Sequence, residues 1–123
     1  MIHDGARPLA GPTLIRDIVQ AAENNGGALP YLETAVLHGS APDAEIVRVQ
    51  TPQVFKAKEI LDAYRKAGAE NFEGSDTSMC MEKYYPDLKV ECVRGTALNI
   101  KVTYPQDLVM VEHLLASNNY SLK

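Results

Sequence analysis

The sequence of 123 residues predicts an α/β fold, in which helices pack against a sheet of short strands. Two observations lead to this expectation. Stretches with apolar residues at helical spacing alternate along the chain with short stretches of strand character. The length is enough for one hydrophobic core and too short for two, so a single domain over residues 1–123 is expected.

The first part of the chain predicts two extended segments around one helix. Residues 1–4 read as the end of a strand. A helix should begin near Pro12, a residue favoured in the first helical turn, and end in the Asn-Asn-Gly-Gly run at 24–27. Residues 28–37 then predict a short extended segment interrupted at Pro30.

A loop at 39–43, a strand at 45–49 and a turn at 51–53 are predicted next. Residues 56–67 predict a helix that stops at Gly68. The apolar side of this helix is expected to carry Ile60, Leu61 and Tyr64.

The last part of the chain predicts two helices and two strands. Ser75 and Asp76 have the character of caps for a short helix at 78–83. Strands are predicted at 88–93 and 99–102. A final helix opens at Tyr104-Pro105-Gln106-Asp107 and carries its apolar residues at 108, 111, 114 and 115.

Charge and composition exclude several classes of partner. Twelve basic against sixteen acidic residues argue against a nucleic-acid binder, which normally presents a basic stripe. No apolar run approaches the roughly 18 to 20 residues of a membrane span, and no signal peptide opens the chain, so a cytoplasmic protein is expected. The two cysteines and three histidines are scattered, which favours free thiols and no zinc site.

Asp4 and Arg7 are the first candidate site residues. They lie after a predicted strand, and ligands of open α/β sheets collect at the carboxyl ends of strands. Taken alone, the pair is more commonly a surface ion pair in which Asp4 caps a turn. The functional alternative is a carboxylate that binds a divalent cation beside an arginine that holds phosphate oxygens.

Three further candidates are each open to a structural explanation. Lys101 is either a solvated edge lysine or a point charge over a phosphate. Thr51 precedes Pro52 at a helix entrance, where a hydroxyl is well placed to bind an anion. Thr34 is a β-branched residue of an extended segment. No nucleophile–base pair accompanies them, so charge neutralisation and positioning are the expected chemistry.

Four stretches, taken in order, resemble one enzyme family. They are "IHDGARP", "LPYLETAV", "QTPQVF" and "VRGTALNIKVTYPQDL", and they extend the likeness from Ile2 to about Leu115. Together they are similar to the 2-C-methyl-D-erythritol 4-phosphate cytidylyltransferases and the related ribitol-5-phosphate cytidylyltransferases. The resemblance implies a Rossmann-like nucleotidyltransferase sheet, of the nucleotide-diphospho-sugar transferase type, with helices on its faces.

The resemblance also implies a reaction and a set of site residues. In this family CMP passes from CTP to a polyol phosphate, pyrophosphate leaves, and Mg²⁺ assists. By resemblance Asp4 binds metal and substrate, Arg7 and Thr34 lie beside the polyol phosphate, and Lys101 is the late catalytic lysine. Thr51 matches a threonine that reaches the site of the neighbouring subunit, which implies a homo-oligomer, most simply a dimer.

Three departures from the family pattern set further expectations. The chain starts where the second half of the family starts, so the CTP-binding half is expected to be absent and the chain alone inactive. Asp43 stands where an arginine usually grips the substrate phosphate of the partner subunit. The arm between Thr34 and Thr51 is short, which puts the usual dimer in question. A non-catalytic binding protein that kept the fold is the alternative, and a half domain should self-associate through its exposed sheet edge.

Overall fold

The computed structural model describes residues 1–33 and 47–117 and places four helices and four strands within them. The helices are Pro12–Asn24 (α1), Ala57–Glu70 (α2), Thr77–Tyr84 (α3) and Pro105–Ala116 (α4). The strands are Gly27–Glu33 (β1), Val47–Val49 (β2), Val54–Phe55 (β3) and Val90–Arg94 (β4). The predicted α/β class is therefore confirmed.

β1 is the central strand of the sheet. β4 pairs in parallel with residues 27–31 along one edge of β1. β2 and β3 follow one another along the other edge, and both run antiparallel to β1. Between them residues 50–53 leave the regular ladder, although the Gln50 amide still donates to the Pro30 carbonyl at 2.8 Å. This interruption carries Gln50, Thr51 and Gln53, whose side chains contribute to the site described below.

Helices cover both faces of the sheet. α1 packs on one face, where Ile18 and Ala22 are buried against Ala28. α2 and α3 cover the other face around Phe55. Their core consists of Ile60, Ala63, Ala67, Cys80 and Met81, with Val90 of β4 against it.

The predicted core face of α2 is confirmed at Ile60 and wrong at Leu61 and Tyr64. Its buried residues are Ile60, Ala63 and Ala67, whereas Leu61 and Tyr64 are 55% and 44% exposed. The prediction followed the largest apolar side chains, but the face toward α3 is built from small alanines at helical spacing. The helix also runs through Gly68 and ends at Asn71, whose φ of 52° is the left-handed conformation that Asn tolerates.

Three predicted strand features also differ. The strand end at residues 1–4 is a single antiparallel bridge, in which Ile2 and Gln53 exchange two backbone hydrogen bonds of 2.9 Å. β1 continues through Pro30, whose carbonyl remains available to Gln50. Residues 99–102 form no strand. The Asn99 amide donates to the Thr96 carbonyl, the Asn99 carbonyl accepts from Arg7, and the Val102 amide donates to the Ala6 carbonyl, so these backbone groups bind outside any ladder.

Asp76 caps α3, as predicted, and Ser75 does not. One carboxylate oxygen of Asp76 accepts the Met79 amide at 2.9 Å, and the other accepts the buried Gln53 amide side chain at 2.9 Å. Burial alone would raise the pKa of this carboxyl, but these bonds and those from Ser78 lower it by more. Asp76 thus connects the N-terminus of α3 to Gln53 in the interruption between β2 and β3.

α4 begins where Asp107 accepts the backbone amides of Thr103 and Tyr104, both at 2.8 Å, and these bonds lower the Asp107 pKa. Of its apolar residues only Val111 is buried.

Both cysteines are free, Cys80 buried and Cys92 exposed. Within the described ranges no helix has the length and apolar character needed to cross a bilayer.

The corrected face of α2 predicts opposite outcomes for two substitutions. Ala63→Leu should lower the free energy of unfolding by about 1–3 kcal/mol, because Ala63 is fully buried and the core cannot take the extra volume. Leu61→Ala should change it by less than about 0.5 kcal/mol. Urea denaturation measures both, and a larger loss for Leu61→Ala would restore the face expected from sequence.

The lowered pKa of Asp76 predicts a pH-dependent stability. Because the folded-state pKa lies below the unfolded one, the ionised carboxylate stabilises the fold above about pH 4, and this contribution is lost as the pH falls through the folded-state value. Asp76→Asn keeps a capping side chain but removes the charge, so its deficit in stability should shrink from about pH 7 to about pH 3. Asp17→Asn, on the exposed side of α1, is the matched control. A deficit that stays constant with pH would contradict the role of the charge.

Candidate functional site

Asp4 lies between two cations. Its Oδ2 is 3.3 Å from Arg7 Nε and 3.4 Å from Lys101 Nζ. A tight turn brings Arg7 back onto Asp4, since the Arg7 amide donates to the Asp4 carbonyl at 3.0 Å. Lys101 arrives from a segment nearly one hundred positions away along the chain. One carboxylate thus joins the two stretches that the sequence singled out.

Arg7 is held more firmly than Lys101. Its side chain is 12% exposed, and Nη1 donates to the Asn99 carbonyl at 2.7 Å while Nε meets Asp4. A guanidinium has five N–H donors in a fixed plane, so the remaining donors are available to a ligand without any movement of the side chain. Arg7 is therefore held in one orientation by Asp4 and Asn99.

Lys101 is held loosely. Its side chain is 51% exposed and its ion pair with Asp4 is long. Exposed pairs of this kind contribute about 0–1 kcal/mol, so the ammonium can leave Asp4 for a ligand at little cost. An anion beside Asp4 would attract it.

Asn99 is the buried support of both cations. It is 0% exposed, and its Nδ2 donates to the Thr51 carbonyl at 2.8 Å and toward Gln50 Oε1 at 3.4 Å. Two acceptors at this end of the side chain fix the orientation of the amide. The backbone carbonyl of Asn99 receives Arg7. Lys101, two positions further along the chain, is placed by the same anchor.

Gln50 completes the buried amide cluster. Its Nε2 donates to the carbonyls of Thr96 and Asn99, at 3.1 and 3.3 Å. Gly95 passes so close that a Cβ there would collide with the Gln50 side chain and crowd the Tyr31 carbonyl. Only glycine allows this approach, and it is what lets the loop after β4 close over the interruption between β2 and β3.

A pocket of about 390 Å³ opens beside this cluster. Three cationic residues line it: Arg7, Arg48 and Lys101. Asp107 is the one carboxylate among its described lining residues, and its oxygen is engaged by the amides that open α4. A chain with a formal charge of −4 therefore concentrates positive charge at this position.

A second pocket, of about 470 Å³, lies between Asp4 and the start of α3. Its charged lining residues within the described ranges are the carboxylates Asp4, Glu73 and Asp76. This sign of charge disfavours an anion. A phosphate is therefore expected in the pocket of Arg7, Arg48 and Lys101.

Thr51 holds the backbone of Asp4 through a hydrogen bond. Its hydroxyl accepts the Asp4 amide at 2.9 Å and lies 2.9 Å from His3 Nδ1. The side chain is nearly buried, at 9% exposure of the residue. Thr51 thus contacts the Asp4 turn directly, and its expected contact with a neighbouring subunit stays a prediction.

The structure brings together four of the five predicted site residues: Asp4, Arg7, Thr51 and Lys101. Thr34 and Asp43 lie outside the described residues, as does the arm up to residue 46. Sequence reasoning missed Arg48, His3 and Gln50. Arg48 lies in the strand that precedes "QTPQ". The sheet register places it opposite Leu32, and both residues line the pocket. The sequence alone carries no signal for this placement.

Asp4 suits one manner of binding Mg²⁺. Within the described ranges no three His, Cys, Asp or Glu side chains converge as a metal cage. Mg²⁺ is commonly held by one or two carboxylates plus substrate phosphates, which a single aspartate can serve. Since Oδ2 faces Arg7 and Lys101, Oδ1 is the oxygen left for the ion.

Comparison with known proteins gives one consistent result. The family model for 2-C-methyl-D-erythritol 4-phosphate cytidylyltransferase (IspD) matches residues 1–117. The enzyme of that name from Dehalococcoides mccartyi is 38% identical over 125 residues, which cover 94% of this chain and 53% of the relative. That from Chlorobium luteolum is 33% identical over 123 residues, covering 91% and 51%.

Solved structures agree with the sequence comparison. The crystal structure of 2-C-methyl-D-erythritol 4-phosphate cytidylyltransferase from Thermus thermophilus superimposes with a TM-score of 0.79 at 31% identity, over 92% of this chain and 59% of that one. The 4-diphosphocytidyl-2C-methyl-D-erythritol synthase from Anaerococcus prevotii gives 0.77 at 28% identity, over 92% and 56%. The predicted nucleotidyltransferase fold is confirmed.

The chain spans about half the length of the curated relatives it matches. The residues that the family model matches include Asp4, Arg7, Thr51 and Lys101. The chain belongs to the 2-C-methyl-D-erythritol 4-phosphate cytidylyltransferase (IspD) family, whose enzymes are nucleotidyltransferases.

Proposed function

We propose that the protein serves the transfer of CMP from CTP to a polyol phosphate, and that this chain holds the polyol-phosphate side of the site. The supporting observation is the pocket lined by Arg7, Arg48 and Lys101 on an otherwise acidic chain. Arginine forks and a lysine point charge are the groups that proteins use to bind phosphate oxygens. The name of the relatives makes 2-C-methyl-D-erythritol 4-phosphate the first substrate to test, and ribitol 5-phosphate the second.

In the proposed reaction an oxygen of the polyol phosphate attacks the α-phosphorus of CTP. The new O–P bond forms as the bond to the bridging oxygen of the β-phosphate breaks, so pyrophosphate leaves and a CDP-polyol remains. Two anions must approach each other, and fixed cations lower this cost while they orient the nucleophile. No covalent enzyme intermediate is required.

Each residue has a distinct role in this proposal. Arg7 binds the polyol phosphate through the guanidinium donors that Asp4 and Asn99 leave unused. Lys101 moves from Asp4 to the phosphate and stabilises charge during transfer. Asp4 orients both cations and would hold Mg²⁺, which when bound supplies further charge neutralisation to the phosphates. Thr34 and Thr51 remain predicted substrate contacts.

We further propose that a segment outside this chain supplies the CTP side of the site, and that the protein acts in the cytoplasm as a homo-oligomer, most simply a dimer. The half-length coverage of the relatives supports the first of these statements. The apolar residues exposed on α4, such as Val109 at 67%, favour association with another surface.

The first test is pyrophosphate release from CTP and methylerythritol phosphate. The chain alone should be inactive, because the proposal places the groups that bind the triphosphate in a segment outside this chain. A fusion with the N-terminal half of the Thermus thermophilus relative should be active, and ribitol 5-phosphate in parallel compares the two acceptors. Turnover by the chain alone would contradict the proposal that the CTP side of the site lies outside this chain. An inactive fusion that binds both substrates would favour a non-catalytic binding protein.

Binding of methylerythritol phosphate by the chain itself tests the pocket. Lys101→Gln and Arg48→Gln should each weaken calorimetric affinity by about 10- to 100-fold, since each removes a charge-assisted hydrogen bond. Lys66→Gln and Arg65→Gln, on the exposed side of α2, are the matched controls. Equal affinities for all four variants would exclude this pocket as the phosphate site.

A further inference from the structure

His3 connects the two ends of the Asp4–Arg7 turn to Thr51. Its Nε2 lies 2.9 Å from the Arg7 carbonyl oxygen, and its Nδ1 lies 2.9 Å from Thr51 Oγ1. The ring thus reaches across from the first turn of the chain to the interruption between β2 and β3. The proposed function gives this side chain no role.

The partners of the ring determine which nitrogen carries the proton. A backbone carbonyl only accepts hydrogen bonds, so Nε2 must be the protonated nitrogen that donates to Arg7. In a neutral imidazole the other nitrogen is then a bare acceptor. Nδ1 therefore accepts a hydrogen bond, and the Thr51 hydroxyl must donate it.

The hydroxyl of Thr51 is consequently committed on both sides. Its single proton goes to His3, and one of its lone pairs receives the Asp4 amide at 2.9 Å. The hydrogen bonds run in one direction from the Asp4 amide, through Thr51 and His3, to the Arg7 carbonyl. This relay begins at the Asp4 amide and ends at the Arg7 carbonyl, so it fixes the backbone of both residues.

We propose that His3, as its neutral Nε2–H tautomer, is a positioning residue that locks the Asp4–Arg7 turn onto Thr51. In this arrangement the proton of the Thr51 hydroxyl is used by His3, and the same oxygen holds the Asp4 amide. A phosphate contact by Thr51 would require the bond to His3 to break. The benefit to substrate binding rests on the proposed function, whereas the relay itself does not.

Ring ¹⁵N NMR of the chain at alkaline pH tests the tautomer directly. His3 should show a protonated Nε2 and a bare Nδ1 as its dominant form, and His3→Gln, His38→Gln and His113→Gln variants assign the three rings. A dominant Nδ1–H form, or rapid averaging of both tautomers at His3, would overturn the proposal. Neither result depends on catalysis, so the outcome is separable from failure of the proposed function.

Two substitutions at Thr51 test the direction of the relay. Thr51→Val removes the hydroxyl at nearly constant shape, so the tautomer preference of His3 should relax and the Asp4 amide should exchange with solvent about fivefold faster. Thr51→Ser keeps the hydroxyl and should restore both readouts. An unchanged His3 tautomer and Asp4 amide in Thr51→Val would overturn the relay, whereas a loss of folding in that variant leaves the wild-type tautomer as the deciding measurement.

Discussion

The hydrogen bond from the buried Asn99 amide to the Thr51 carbonyl is the interaction on which the site depends. Residues 50–53 leave the sheet between β2 and β3, and backbone groups freed in this way must find partners inside the protein. Asn99 supplies one for the Thr51 carbonyl at 2.8 Å, and the Gln53 side chain supplies one for the Gln50 carbonyl at 3.4 Å. This necessity brings the loop after β4 to the interruption, and Arg7 and Lys101 are placed beside one carboxylate as a result.

The distribution of charge follows from the same arrangement. The chain is acidic as a whole, yet Arg7, Arg48 and Lys101 come from three distant stretches to line one pocket. Arg7 is held between Asp4 and Asn99 and needs no reorganisation, whereas the long pair of Lys101 with Asp4 is easily given up. A rigid guanidinium beside a movable ammonium suits a ligand whose charge shifts during reaction.

Much of this architecture was predictable from sequence, because helix starts, caps and strand alternation are local signals. The α1 start at Pro12 and the Asp76 cap are examples. What was missed depends on contacts between distant residues. Residues 99–102 have the composition of a strand, but the Asn99 backbone amide donates to Thr96 and its carbonyl accepts from Arg7, so neither group joins a ladder. The alanine face of α2 is set by how closely α3 approaches, which composition does not reveal.

The candidate site was predicted in part for a similar reason. The motifs around Asp4, Arg7, Thr51 and Lys101 stand out in the sequence, and these stretches, far apart in the chain, do meet. Arg48 and His3 carry no pattern of their own and gain a role only through the sheet register and the turn that place them. The family likeness indicated which residues matter, whereas the hydrogen bonds indicate how each one acts.

Backbone amide chemical shifts of the ¹⁵N-labelled chain, followed during titration with 2-C-methyl-D-erythritol 4-phosphate, test the central claim most directly. Saturable changes should concentrate at Arg7, Arg48 and residues 99–104, which surround the pocket of Arg7, Arg48 and Lys101. Changes confined to residues 73–77, beside the acidic pocket, would contradict the assignment of the phosphate site, as would a spectrum that does not respond to the ligand.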